Sequence, residues 1–183
     1  MTTATIFAGF GGQGVLLMGY VLAQGAMHKG VNVTYFPAYG AEMRGGTANC
    51  TVTVSERPIA SPVASRPDFL VAMNNPSLSK FESRIKPGGI IFLDESLVSE
   101  EVQRKDVTVV RVPLKDLARE IGADRQANMV MIGVFTSKTG LLTVQETQLG
   151  MEAALRGKEK FFPANRAAIE RGAQYSLRAS QSG

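Results

Sequence analysis

Thr5-Ile6-Phe7-Ala8-Gly9-Phe10-Gly11-Gly12-Gln13-Gly14-Val15 joins a short β-like run to a long apolar, helix-like run. That junction is where α/β proteins bind phosphates. Read as Gly9-x-Gly11-x-x-Gly14, it has the spacing of the dinucleotide fingerprint. Glycines let the backbone turn tightly and approach a ligand, and the next helix offers unpaired N–H groups to an anion. Gly12 leaves yet more backbone bare. An adenine dinucleotide site also wants Asp or Glu near the end of the second strand, to hold the ribose hydroxyls. Here that strand reads Val31-Asn32-Val33-Thr34-Tyr35-Phe36, and the first acidic residue in the chain is Glu42. The stretch therefore reads as an anion or phosphate loop, with NAD disfavoured.

Working outward, residues 3 to 8 form a short apolar strand stopped by glycine. Residues 15 to 29 form a helix that is apolar nearly all round, hence packed on more than one side, and Gly30 stands where a left-handed C-cap is favoured. Residues 31 to 36 give a second strand, halted by Pro37. Residues 47 to 54 alternate polar with small or apolar side chains, which is a half-buried strand with Ala48, Cys50, Val52 and Val54 inward. After the Ser55-Glu56-Arg57-Pro58 turn, residues 59 to 63 read as a hairpin partner or an edge segment. Residues 68 to 73 are a further buried strand. Asn75 is placed to cap a helix begun by Pro76, with Leu78, Phe81 and Ile85 as its inner stripe. Strands over 90 to 93 and 107 to 112 follow, then a short amphipathic helix through Leu114, Leu117, Ala118 and Ile121. A buried helix over 127 to 142, a capping box at Thr143 and Glu146, and a last helix over 163 to 177 complete the chain, with residues 180 to 183 expected to fray. Strands alternating with helices imply an α/β fold with a largely parallel sheet flanked by helices. The alternating strand and turn near 47 to 63 admit a mixed sheet.

The 183 residues suit one domain, with a helical C-terminal part from about residue 127. The single cysteine, Cys50, excludes an internal disulfide and an iron–sulfur cluster held by this chain's thiolates alone. It also fits a reducing cytoplasm. No signal-peptide pattern opens the sequence, and no run of apolar residues is long enough to span a membrane. The net charge of +4 comes without a basic stripe interleaved with aromatics, so nucleic acid is not an expected partner. Charge is distributed unevenly: residues 1 to 41 carry one formal charge, Lys29, besides His28. Such a segment is either a core layer or lies partly against another subunit.

A second loop, Tyr39-Gly40-Ala41-Glu42-Met43-Arg44-Gly45-Gly46, follows the second strand. Arg44 is either a planar fork for a phosphate in the crevice at the strand ends or the partner of Glu42 in a tight structural turn. His28 is accounted for by the helix terminus. Cys50 reads as a small core residue. Asn128, polar in an apolar helix, needs a partner, either a loop backbone or a ligand. No catalytic residue and no metal-ligand cluster is identified, and no Gly-Asp-Gly segment of the thiamine diphosphate type occurs. Taken alone, the chain binds or assembles rather than catalyses.

In order along the chain, Gly9-Phe10-Gly11-Gly12-Gln13-Gly14, Tyr39 through Gly46, Thr47-Ala48-Asn49-Cys50, Ile59-Ala60-Ser61-Pro62, Asn74-Asn75-Pro76-Ser77-Leu78 and Asn128-Met129-Val130-Met131-Ile132-Gly133 strongly resemble the gamma subunit of 2-oxoacid:ferredoxin oxidoreductases. The resemblance spans roughly residues 5 to 170. It implies a Rossmann-like α/β fold and a cytoplasmic multi-subunit enzyme that decarboxylates a 2-oxoacid oxidatively, forms the acyl-CoA and reduces ferredoxin. Thiamine diphosphate, magnesium and iron–sulfur clusters would sit on partner subunits of the thiamine-binding alpha and beta type and on a ferredoxin-like subunit or ferredoxin itself. This chain would help form the coenzyme A site, through Gly9, Phe10, Gly11, Gly12, Gln13, Gly14, Arg44, Gly45, Gly46 and Asn128. Phe10 and the Met43 loop look nearest to the 2-oxoglutarate branch. Pyruvate, 2-oxoisovalerate and indolepyruvate enzymes share the framework. A stand-alone phosphate-binding or nucleotide-binding protein is the reading from another class.

Overall fold

β1 (Thr2–Phe10) is buried along its whole interior because it runs through the middle of a six-stranded sheet. The computed structural model describes residues 1–39 and 47–181. The strand order is β2 (Asn32–Tyr39), β3 (Thr47–Ser55), β1, β4 (Phe69–Ala72), β5 (Ile90–Asp94) and β6 (Thr108–Val112). β1, β4, β5 and β6 run parallel, whereas β3 is antiparallel to both β1 and β2. The sheet is thus mixed, and the α/β expectation holds. After β1 the chain first builds outward to one side, through β2 and β3, and then to the other, through β4, β5 and β6. β1 is therefore where the topology switches.

Two compact units are present. The first comprises Met1–Gly19 and Val31–Val112. It holds the sheet, α2 (Asn75–Phe81) and the first turns of α1 (Val15–His28). Alternation in β1 decides the layering. Ile6 and Ala8 join Leu70, Ala72, Ile91 and Leu93 under Leu78, Phe81, Ile85 and Val98. On the opposite face the start of α1 lies close against β3: a Cβ on Gly19 would overlap Cys50 Sγ. The Tyr35 hydroxyl donates to the Leu16 carbonyl at 3.2 Å.

The second unit comprises Tyr20–Gly30 and Pro113–Gly183. It contains the rest of α1 together with α3 (Leu114–Glu120), α4 (Ala127–Thr139), α5 (Val144–Ala154) and α6 (Phe162–Gln181). α4 is buried from Met129 to Thr136 because α6, α3 and α5 all pack on it. The crossing with α6 is tight enough that Gly133 meets the Ile169 carbonyl and Gly172 meets the Val130 carbonyl. Thr143 and Glu146 form the expected capping box at the start of α5.

Several boundaries differ from the sequence reading, each for an identifiable reason. Pro37 does not halt β2, which runs on to Tyr39, because β2 is an edge strand, where a missing N–H is tolerated. Residues 59 to 63 form no strand, since both sides of β3 are already occupied by β1 and β2. The cap of α2 is Asn74 rather than Asn75: its carbonyl oxygen accepts from the Ser77 N–H. α4 stops at Thr139 because Gly140 takes a left-handed φ of 67°. α6 continues through residues 180 and 181, where fraying was expected.

Candidate functional site

The ends of β1, β2, β4 and β5 and the start of β3 share one edge of the sheet, outside the carboxyl ends of the parallel strands. That is where open α/β sheets place ligands. The glycine loop leaves β1 there, between β3 and β4. Tyr39 pairs with Ala48 and Phe10 with Thr47, so the chain leaves β2 and re-enters β3 at the same edge. Arg44, Gly45 and Gly46, and with them the question of a Glu42–Arg44 pair, lie outside the described residues.

Within the loop, Gln13 N–H donates to the Phe10 carbonyl at 3.2 Å and closes a turn. Met18 N–H bonds to the Gly14 carbonyl at 3.0 Å, which makes Gly14 the residue that opens α1. The N–H groups of Val15, Leu16 and Leu17 then have no partner one turn back in the helix. The N–H groups of Gly11, Gly12 and Gly14 have no backbone acceptor among the described residues. Together these donors and the positive end of the α1 dipole form an anion-accepting surface.

The four glycines are not equivalent. A Cβ on Gly9 would lie 2.6 Å from Gln13 Oε1 and 2.8 Å from Val15 Cγ1, so packing alone requires glycine there. Gly12 and Gly14 have φ of 93° and 74°, in the region that other residues enter only at a cost. Gly11 has neither constraint: its φ is not positive and nothing among the described residues lies within 4 Å of an added Cβ.

Gln13 turns its side chain inward. Its Oε1 accepts from Phe10 N–H at 2.6 Å and from Asn74 Nδ2 at 3.0 Å, and its Nε2 donates to the Met73 carbonyl at 2.9 Å. Asn74, buried at the end of β4, accepts in turn from Ser77 N–H at 2.9 Å. Nothing in the sequence links Asn74 to Gln13, because a bond across 61 residues leaves no local signal.

Asp94 was also missed. It ends β5 at the same sheet edge, is only 4% exposed, and accepts from Ser96 N–H at 2.9 Å. Burial pushes its carboxyl above the ordinary aspartate range, although hydrogen bonds from Ser96 oppose the shift. Its main chain also forms a turn, with Val98 N–H bonded to its carbonyl at 2.8 Å.

Asn128 is the second residue of α4, half-buried, in the second unit. Cys50 is fully buried, and burial pushes its thiol up to about 12. No group of three or more His, Cys, Asp or Glu that could hold a metal occurs among the described residues. Among the described residues no helix is long and apolar enough to cross a membrane.

Residues 4–175 match the family described as pyruvate ferredoxin/flavodoxin oxidoreductase. The chain is 41% identical over 171 residues to the ketoisovalerate oxidoreductase subunit VorA of Methanothermobacter thermautotrophicus, covering 92% of this chain and 35% of that protein. It thus spans about a third of the length of that relative. It is 36% identical over 148 residues to the 2-oxoglutarate synthase subunit KorC of Methanothermobacter marburgensis, covering 77% of this chain and 80% of the relative. Among solved structures, the gamma subunit of a keto/oxoacid ferredoxin oxidoreductase from Geobacter sulfurreducens superposes with a TM-score of 0.82 at 25% identity, covering 96% of this chain and 99% of that one. The 2-oxoglutarate:ferredoxin oxidoreductase of Magnetococcus marinus, solved with 2-oxoglutarate, coenzyme A and succinyl-CoA bound, shares the fold with a TM-score of 0.85 at 22% identity over 97% of this chain and 31% of that one.

Proposed function

We propose that this chain, which belongs to the pyruvate ferredoxin/flavodoxin oxidoreductase family, serves as the gamma-type subunit of a 2-oxoacid:ferredoxin oxidoreductase and forms part of its coenzyme A site. Gly11 is the observation that carries the ligand assignment. Glycine costs conformational entropy, and neither backbone angle nor packing against any described residue requires it at that position. Close approach of a bound anion accounts for it. The bare N–H groups of the loop and the start of α1 suit the diphosphate of coenzyme A. Gly9, Phe10 and Gln13 build the loop, and Arg44 with Gly45 and Gly46 supplies a fork to the phosphates. Thiamine diphosphate, magnesium and iron–sulfur clusters belong on partner subunits, and the enzyme works in the cytoplasm.

Phe10, Phe36 and Tyr39 support docking to those partners. All three are exposed near the carboxyl ends of β1 and β2, within the charge-poor first 41 residues. The 2-oxoacid is 2-oxoglutarate on the likeness to KorC, of which the match covers 80%. The higher identity to VorA favours 2-oxoisovalerate as the second reading.

Coexpression with thiamine-binding subunits, followed by ferredoxin reduction with a panel of 2-oxoacids, tests the assignment. Arg44→Ala should raise the KM for coenzyme A about ten- to a hundredfold, the worth of a charge-assisted hydrogen bond. The KM for the 2-oxoacid should barely move. A complex that forms and turns over with an unaltered coenzyme A dependence in the variant would remove Arg44 from the site. A chain that never joins the thiamine-binding subunits would remove the function.

A further inference from the structure

The Gln13 amide joins two segments that are remote in sequence: the end of β1 and the Met73-Asn74 step between β4 and α2. Its carbonyl oxygen has two lone pairs, and both are used, by Phe10 N–H and Asn74 Nδ2. One of its two N–H bonds goes to the Met73 carbonyl. Little of this side chain is left for a ligand. Gly9 lacks a Cβ because the same Oε1 occupies that space. Asn74 is buried and completes the chain of bonds to α2 through Ser77 N–H.

We propose that Gln13 is a positioning residue, which holds the loop N–H groups toward the anion without itself contacting it, and that Asn74 sets the direction of the Gln13 amide. The proposal rests on the coenzyme A reading of the loop. It separates a residue that resembles a ligand contact in the sequence from the loop N–H groups that bind. It also makes Asn74, inward and away from solvent, a determinant of coenzyme A affinity.

Two isosteric substitutions break one donor each. Gln13→Glu keeps an acceptor for Phe10 and Asn74 but sets a carboxylate oxygen against the Met73 carbonyl. Asn74→Asp keeps the cap on Ser77 N–H but sets an oxygen against Gln13 Oε1. In both, a protonated carboxyl restores the lost donor. In the assembled complex the ratio of variant to wild-type KM for coenzyme A should therefore be about ten at pH 8. It should fall toward one as the pH is lowered to about 5.5, because burial raises the introduced acid's pKa. The change should fall on KM rather than kcat. A ratio that stays flat with pH overturns the proposal. So does an effect in Gln13→Glu with none in Asn74→Asp, which would mean that Gln13 meets the ligand directly.

Amide hydrogen exchange gives a readout independent of coenzyme A. Asn74→Asp should speed exchange over residues 10 to 14 at pH 8 and leave α2 protected. If the wild-type complex shows no coenzyme A dependence but the exchange changes as stated, the functional reading fails and the positioning role stands. Unchanged exchange over 10 to 14 refutes the positioning role itself.

Discussion

Gly9→Ala and Gly11→Ala add the same methyl group two residues apart and should have opposite consequences. At Gly9 the new Cβ would sit 2.6 Å from Gln13 Oε1 and 2.8 Å from Val15 Cγ1, against an ordinary contact of about 3.4 Å. The Gln13 amide must retreat by about 0.8 Å. That stretches its 3.0 Å bond from Asn74 beyond hydrogen-bond range and the 2.6 Å bond from Phe10 to the limit. Losing these bonds and leaving the buried Asn74 amide unpaired costs about 2–4 kcal/mol. For a chain of this length that corresponds to a fall in Tm of about 5–15 °C. At Gly11 the methyl group meets no described residue, and removing glycine's entropy costs nothing and can add up to about 1 kcal/mol of stability. Its penalty should appear only when the ligand approaches, as a raised KM for coenzyme A. Thermal denaturation of both variants and coenzyme A titration of the assembled complexes separate the two effects. A Gly11→Ala chain that melts as early as Gly9→Ala, or binds coenzyme A as wild type does, would refute the division of roles among these glycines.

Two further outcomes follow from buried contacts. Asp94 holds its proton more tightly when folded than when unfolded, so the native state loses stability as pH rises from the ordinary aspartate range, near 4, through the raised folded value. Asp94→Asn keeps an acceptor for Ser96 N–H and carries no charge; its Tm relative to wild type should climb between pH 3 and pH 7 and then level off, and a pH-independent difference counts against a burial cost at this site. Gly133→Ala and Gly172→Ala each force α4 and α6 apart, at about 1–3 kcal/mol for overpacking less about 1 kcal/mol regained in helix propensity. A separation that admits one Cβ also admits the other, so denaturant titration should give the double variant a loss smaller than the sum, and strict additivity would show that the two contacts are independent.

Local chemistry was legible where it acts over a few residues. The alternation over β3 put Ala48, Cys50, Val52 and Val54 inward; the first three are buried, but Val54 is half-buried and Thr53 beside it is buried, because β3 lies between β1 and β2. Thr143 and Glu146 satisfy each other within one turn, and their pairing was visible as spacing. The misses need knowledge of neighbours. Pro37 stops a central strand but not an edge strand, and only the sheet order tells which one it is in. Residues 59 to 63 looked able to pair, yet β3 had no free side to offer. At Asn74-Asn75-Pro76 either asparagine can precede a helix. What selects Asn74 is its second bond, to Gln13, which no local pattern contains.

The same limit explains how the glycine fingerprint should be read. Spacing treats its glycines as one signal, but among the described residues Gly9 answers to packing, Gly12 and Gly14 to φ, and Gly11 to neither. Only the last gives information about something beyond the described residues. The charge-poor first 41 residues divide in a similar way. β1 lacks charge because it is the sheet's buried middle. β2 lies at the edge, and there Phe36 and Tyr39 remain 46% and 74% exposed. Burial in the core accounts for the one strand and not for the other. The two readings of that composition, core layer and subunit contact, are therefore not rivals: the core layer holds for β1, and β2, which ends at the same edge of the sheet as the glycine loop, is the strand on which the proposed subunit contact is to be tested.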